Sequence, residues 1–373
     1  MSRGRLVTLI VLVVAVVVVV AVCNRDSDPP TTTELPTTPT TTPAVTSTPT
    51  DTTTTTAPGS TTTVAPTTSV SADQTVTVLL SPFSEMGPEW TEQIFPYGEG
   101  EESLGTSPGG DGLLLGPDYG TQTPDGSWWF LDAASLRIAH FAADGSYLDQ
   151  VVMPEDLLVD GLYFQYQMPQ GLDDGSITAG GFPSEDTMSL LRIADGQATG
   201  ATFEGAVPLV TTDGELLYGL GNDGAPHALD PAQPVLDPVD WLLARDGSRF
   251  KVTVNGDEIV LELPDAGLTR TLQMRYSVDP EVVAHGAIEV ETGADGTIFF
   301  VAYGIPESDE TLGIGGFVSV SPDGQVGQME PIVDPFSPSD SGSPSHLGVT
   351  PGTSTPWIMV VWEDGVHVFT KTG

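Results

Sequence analysis

The chain has 373 residues, 51 of them acidic and 11 basic, for a formal net charge of −40, and it has one cysteine. That charge excludes recognition of nucleic acid through its phosphates. The lone Cys23 excludes an internal disulfide, so stability must come from packing.

Residues 6–22 carry no charge and are mostly valine. At ~1.5 Å per residue the run approaches the ~30 Å hydrocarbon core of a bilayer. Arg3 and Arg5 precede it, whereas Arg25 is flanked by Asp26 and Asp28. The positive-inside rule puts the N-terminus in the cytoplasm and the rest of the chain outside. An uncleaved signal anchor is the first reading. A cleaved signal peptide is the second, although the run ends without an A-x-A pattern. The third is lipidation of Cys23, which closes the run as a lipoprotein cysteine does, with Val22 where a small residue is preferred.

Pro29 to Thr68 is dominated by Thr and Pro and has no aromatic residue, so it cannot build a core. Its composition favours extended, polyproline-like backbone with a reach of on the order of 120 Å. A passive disordered linker and an O-glycosylated stalk both fit, and no N-x-S/T sequon occurs. The expected organisation is an anchor in 1–25 (spanning 6–22), a disordered stalk in 26–72 and an ectodomain in 73–373. The ectodomain holds 47 of the acidic and 8 of the basic residues, about −39. Such a surface keeps a protein soluble and attracts cations or basic partners.

After residue 73 helical periodicity is nearly absent, with a short candidate at Pro154 to Asp160. Strand signals are dense. Trp128 to Leu131, Leu136 to Phe141 and Tyr147 to Met153 read as one meander. Arg249 to Val254 and Glu258 to Leu263 flank Asn255-Gly256, which suits a type I′ turn. Trp357 to Trp362 and Val366 to Thr370 flank Asp364-Gly365. Asp-Gly pairs recur at Asp125, Asp174, Asp213, Asp246 and Asp295, with a second set at Asp144, Asp195, Asp323 and Asp364. Units of roughly 40–50 residues with about four strands are β-propeller blades.

Thr123-Pro124-Asp125-Gly126-Ser127-Trp128-Trp129-Phe130-Leu131-Asp132, then Leu136-Arg137-Ile138-Ala139-His140-Phe141, then Asp144-Gly145, resembles an NHL-type blade. Residues 293–325 repeat the pattern with a longer middle loop, from Ala294-Asp295-Gly296 to Asp323-Gly324. The expected fold is therefore all-β, a six-bladed propeller with units starting near Gly116, Leu162, Ala206, Trp241, Ala287 and His346. Thr75 to Leu80 is expected to complete the last blade and close the ring, which removes exposed edges. A seven-bladed ring using Pro82 to Leu115 as an irregular unit is the runner-up, and a two-sheet sandwich the third.

In a four-stranded meander the first and third turns share one rim, and the middle loops emerge at the other. The middle loops carry Glu185, Asp186, Asp223, Glu307, Asp309 and Glu310. Loops on a rigid scaffold are where binding residues sit. This acidic rim is the candidate site for Ca²⁺ or a basic partner; solvated loops that bind nothing are the alternative. His140 and His367 fall in strand patterns, while His227 and His346 are expected at the surface. There is no H-E-x-x-H, Walker or EF-hand loop, so no catalytic residue stands out. Two functional classes remain. One is an envelope-bound module that binds a protein or glycan. The other follows from the resemblance: some six-bladed propellers similar to this one are metal-dependent lactonases, with carboxylate and Asn ligands on the innermost strands. Glu289 and Glu291 are the only carboxylates expected on those strands, and a metal site normally wants three or more ligands. Binding is favoured.

Overall fold

A computed structural model describes residues 72–372, apart from 109–113, 116, 118, 158–165, 185–186, 205–208, 221–224, 231–232, 308–311 and 335–345. The apolar run at 6–22, Cys23 and the Thr/Pro tract lie outside the described residues. Among those described, no helix is long and apolar enough to cross a membrane.

The fold is all-β and propeller-like. The first strands are β1 (Asp73–Pro82), β2 (Trp90–Pro96), β3 (Ser107–Pro108) and β4 (Leu114–Leu115), the last two forming a small hairpin. Three four-stranded meanders follow. They are β5 (Gly120–Gln122) to β6 (Trp128–Asp132), β7 (Arg137–Phe141) and β8 (Tyr147–Val152); β9 (Tyr166–Gly171) to β10 (Ile177–Ser184), β11 (Thr187–Ala194) and β12 (Gln197–Glu204); and β13 (Leu209–Thr212) to β14 (Leu217–Leu220), β15 (Pro226–Asp230) and β16 (Gln233–Pro238). The chain continues through β17 (Leu242–Leu243), β18 (Arg249–Asn255), β19 (Glu258–Leu263) and β20 (Leu268–Tyr276), then β21 (Ala284–Thr292), β22 (Ile298–Pro306) and β23 (Ile314–Val320). These two meanders join through β1 into one eight-stranded sheet, in the order β17-β18-β19-β20-β1-β23-β22-β21. The last strands are β24 (His346–Val349), β25 (Pro356–Trp362) and β26 (Gly365–Lys371).

Alternation decides which side chains meet between sheets. Trp128, Phe130 and Phe141 of one sheet pack on Trp357, Met359, Val366 and Val368 of another, with Phe95 among them. The opposite face of the first sheet, with Leu131 and Ile138, packs on Ile177 and Leu191. Trp128 is buried in one core while Trp129 packs against the other, as adjacent strand positions require. Met188 and Leu190 meet Leu217 and Leu229. Tyr218 joins a core with Phe250, Leu261, Ile298 and Phe300, and Phe299 and Val301 face Ile358 and Val360. The cores thus run from sheet to sheet and return to the first.

The strand that completes the last sheet is β2, not Thr75 to Leu80. β2 pairs antiparallel with β26 from Trp90↔Lys371 to Pro96↔Gly365. Thr75 to Leu80 belongs to β1, which runs parallel to β20. β2 brings Trp90 and Phe95, which fill the cores on either side of the last sheet. Among the described residues, Pro82 to Leu115 builds no four-stranded unit, because β2 joins β26 and β3 and β4 pair only with each other. Pro154 to Asp160 holds a short 3₁₀ turn at Glu155–Leu157.

Two turns differ from expectation. Asn255 pairs with Glu258, so the central residues of that hairpin are Gly256 and Asp257. Only Gly256 has positive φ, +66°, which is the type II′ pattern rather than I′. The I′ pattern falls at Asp195-Gly196, where both φ values are positive. Asp364-Gly365 lies between β25 and β26, the second and third strands of its sheet. Asp364 therefore sits on the middle-loop rim, opposite the other Asp-Gly turns.

Candidate functional site: the polar centre of the ring

The innermost strands carry polar residues that are nevertheless buried: Thr121, Gln122, Gln170, Thr211, Thr212, Glu291, Thr292 and His346. β5 lies against β9 and β24, and β21 against β13 and β24. These edge contacts bring the polar residues to one centre.

Glu289 and Glu291 stand two residues apart on β21 and so share a face. Glu291 is 2% exposed, and the Gln170 side chain from β9 donates to its Oε1. Burial pushes the Glu291 carboxyl up to about 7, against the pull of the Arg245 guanidinium, Gln170 and His346. Its Oε2 is buried without a hydrogen-bond partner. Glu289 Oε2 accepts the Leu347 backbone N–H at 2.5 Å and lies 3.6 Å from His346 Nδ1. Tyr303 also bonds Glu289, and burial raises its hydroxyl well above the ordinary tyrosine value. His346, expected at the surface, is 4% exposed and meets Tyr119 and Trp357 edge to face. It begins β24, and the Pro/Ser residues before it gave no sign that the chain turns inward there.

Towards the Asp-Gly turns the centre is closed by a circuit of hydrogen bonds. Arg245 follows β17 directly, and its side chain is 2% exposed. Its backbone N–H donates to Thr292 Oγ1 at 3.2 Å, Nη2 to Gly171 O at 3.1 Å and Nη1 to Asp173 Oδ1 at 3.2 Å. Asp173 N–H donates to Gly214 O at 2.9 Å, and Gly214 N–H to Thr212 Oγ1 at 3.0 Å. Gly171 N–H donates to Thr121 Oγ1 at 3.0 Å, and Thr350 Oγ1 to the Gln122 side chain. Gly171 is glycine because a Cβ there would lie 2.0 Å from Gln122 O.

The turn rim itself is ordered by Asp residues that cap their own turns. Asp125, Asp144 and Asp174 each accept the backbone N–H and hydroxyl of the serine two residues on, at 2.6–3.0 Å. These bonds hold all three carboxyls below the usual range, led by the Ser127 N–H for Asp125 and by the Ser146 and Ser176 hydroxyls for the other two. Of the middle-loop residues, Glu307 is exposed in the turn after β22. Glu185, Asp186, Asp223, Asp309 and Glu310 lie outside the described residues. Among the described residues no three His, Cys, Asp or Glu side chains are grouped to hold a metal ion.

The profile of a domain of unknown function, DUF7485, matches residues 88–371. The chain belongs to this family. The DUF7485 match takes in β2 and ends at β26, the two strands that pair to complete the last sheet. None of the curated proteins matches the chain. Among solved structures, virginiamycin B lyase from Staphylococcus aureus is 14% identical, with 75% of this chain and 98% of that one covered at a TM-score of 0.37. A protein of unknown function from Bacteroides thetaiotaomicron is 10% identical, with 75% of each chain covered at 0.41. YCF48 bound to a D1 peptide is 11% identical, with 78% and 85% covered at 0.37.

Proposed function

We propose that this DUF7485 protein is a six-bladed propeller held at a membrane by residues 6–22, spaced from it by the Thr/Pro stalk, and that it acts outside the cell membrane as a binding module. The six-blade reading takes β17–β20 and β21–β23 as two blades bridged by β1 and the four four-stranded sheets as the other four, each linked to its neighbours by a shared core. The observation that carries the binding reading is the closure of the centre. Gln170 crosses to Glu291, Glu289 is taken by Leu347 and Tyr303, and Arg245 is wedged between Thr292, Gly171 and Asp173. Glu291 Oε2, Arg245 Nε and His346 Nε2 are left without a hydrogen-bond partner among the described residues, but the other groups named here are engaged with one another, which favours the loops of the rims as the place where a ligand is met. A protein or glycan of the envelope, met at the middle-loop rim that carries Glu307, is the partner class this favours; a cationic surface or Ca²⁺ suits its charge.

The second reading is a hydrolase of the metal-dependent lactonase type, favoured by the placement of Glu289, Glu291 and His346 on neighbouring strands. The test has two parts on the full chain in detergent. A photo-crosslinker at Glu307 should capture a partner on cells, and one at Asp144 on the other rim should not. A calcium titration by calorimetry, with a melting scan and a lactone-hydrolysis assay, addresses the centre. Calcium-dependent turnover that disappears in Glu289→Gln would replace the binding reading with the hydrolase.

A further inference from the structure

The residues before Ala72 enter the described fold through β1, and the way β1 is fastened is specific. It pairs parallel with β20 over eight consecutive positions, from Asp73↔Thr269 to Leu80↔Tyr276. Val78 and Leu80 are buried in the core with Leu272 and Met274. At its start Ala72 O accepts the Thr269 N–H at 2.8 Å and Arg270 Nη1 at 3.2 Å. Arg270 is fully buried, and its Nε donates to Gly324 O at 2.7 Å in the neighbouring meander. At its end Leu80 O accepts the Ser277 N–H at 2.8 Å, and Ser81 and Pro82 pair with Gly315 and Ile314. β20 leaves the turn at 264–267 on the Asp-Gly rim, so the parallel β1 also starts at that rim and runs towards the far one.

We infer that β1 is a mechanical clamp, which carries tension from the N-terminal segment in shear whenever the opposing load acts at the rim where β20 ends. Pulling Asp73 outward while the far rim is held slides β1 along β20. All eight pairs then resist together, and the buried Val78 and Leu80 must be dragged through the core. A load at the near rim instead opens the pairs one at a time from Asp73↔Thr269. The clamp therefore suits a partner on the rim away from the tether. That tension reaches it from a membrane rests on the function proposed above; the clamp geometry does not.

The experiment is single-molecule pulling of the full chain in detergent, with Cys23→Ser, one handle on an N-terminal tag and the other on an introduced cysteine. Val278→Cys places it just beyond β20, at a residue 72% exposed. Ala266→Cys places it in the exposed turn before β20. Neither change touches the core. The expected result is release of β1 at clearly higher force through residue 278 than through residue 266, or unfolding of the ring before β1 lets go through 278. Equal forces would overturn the inference. So would an early, low-force gain of about 60 Å through 278, the reach of residues 73–89. Failure of the same chain to float with lipid vesicles would remove the membrane anchor and leave the clamp standing.

Discussion

Replacing Glu291 by Gln should change the pH dependence of stability in a defined way. The carboxyl is buried beside Gln170, and its value rises from 4.5 to about 7 in the folded protein. Below pH ~4.5 both the folded and unfolded chains hold the proton, so burial carries no ionisation penalty. As pH rises towards ~7 the unfolded chain ionises and the folded one resists, so stability is lost across that window and the loss then levels off. The shift corresponds to about 3 kcal/mol. Gln cannot ionise and keeps an oxygen for the Gln170 amide. For a domain of this size the variant should melt about 5–10 °C above the parent at pH 8 and level with it near pH 4.5. Taking the difference between the two proteins cancels the contribution of the many other carboxylates. The assay is a pair of melting curves from pH 4.5 to 8.5. A difference that stays flat with pH would refute the reasoning, and would mean that Arg245 keeps Glu291 ionised.

Asp132→Ala should cost about 3–5 kcal/mol in urea denaturation, because it leaves the buried Arg137, 2.8 Å away, without its carboxylate; a loss under about 1 kcal/mol would contradict that. Gly214→Ala should destabilise more than Gly247→Ala, since both have positive φ but only the Cβ at 214 would lie 2.6 Å from the Asp173 carboxylate. Equal melting shifts would mean that Asp173 moves aside freely. Lys371→Ala should loosen β2, because Lys371 pairs with Glu330 and lies 5.7 Å from the Trp90 ring. The expected cost is about 2 kcal/mol, with faster proteolysis at β2 as the check.

Strand identity was legible because apolar alternation and Asp-Gly pairs are local signals. Arg249 to Leu263 and Trp357 to Thr370 fold as the hairpins their patterns announce. Partner choice was not legible. Thr75 to Leu80 read as the closing strand and Trp90 to Pro96 gave no strand signal, yet the volumes of Trp90 and Phe95, matched to cores built from distant sequence, place the latter beside β26. Turn type at Gly256 depended on a register shifted by one residue, which composition does not encode. At the centre, Glu289 and Glu291 were visible as the carboxylates of an inner strand, whereas the parts played there by Gln170, Arg245 and His346 were not. A signal for Arg245 did exist. In a domain with so few basic residues, an arginine directly before Asp246-Gly247 is more informative than its neighbours.

The pairing of β2 with β26 also fixes an order of events during synthesis. Glu92 and His367, joined by a hydrogen bond of 2.7 Å between these strands, are 275 residues apart. Once translated, β2 must wait with Trp90, Phe95 and its backbone edge uncovered until nearly the whole chain has followed. A chain exported while unfolded would complete its last sheet only after the final strand has crossed. The interval before that moment is when the protein is most exposed to proteases and to pairing with a second copy of itself.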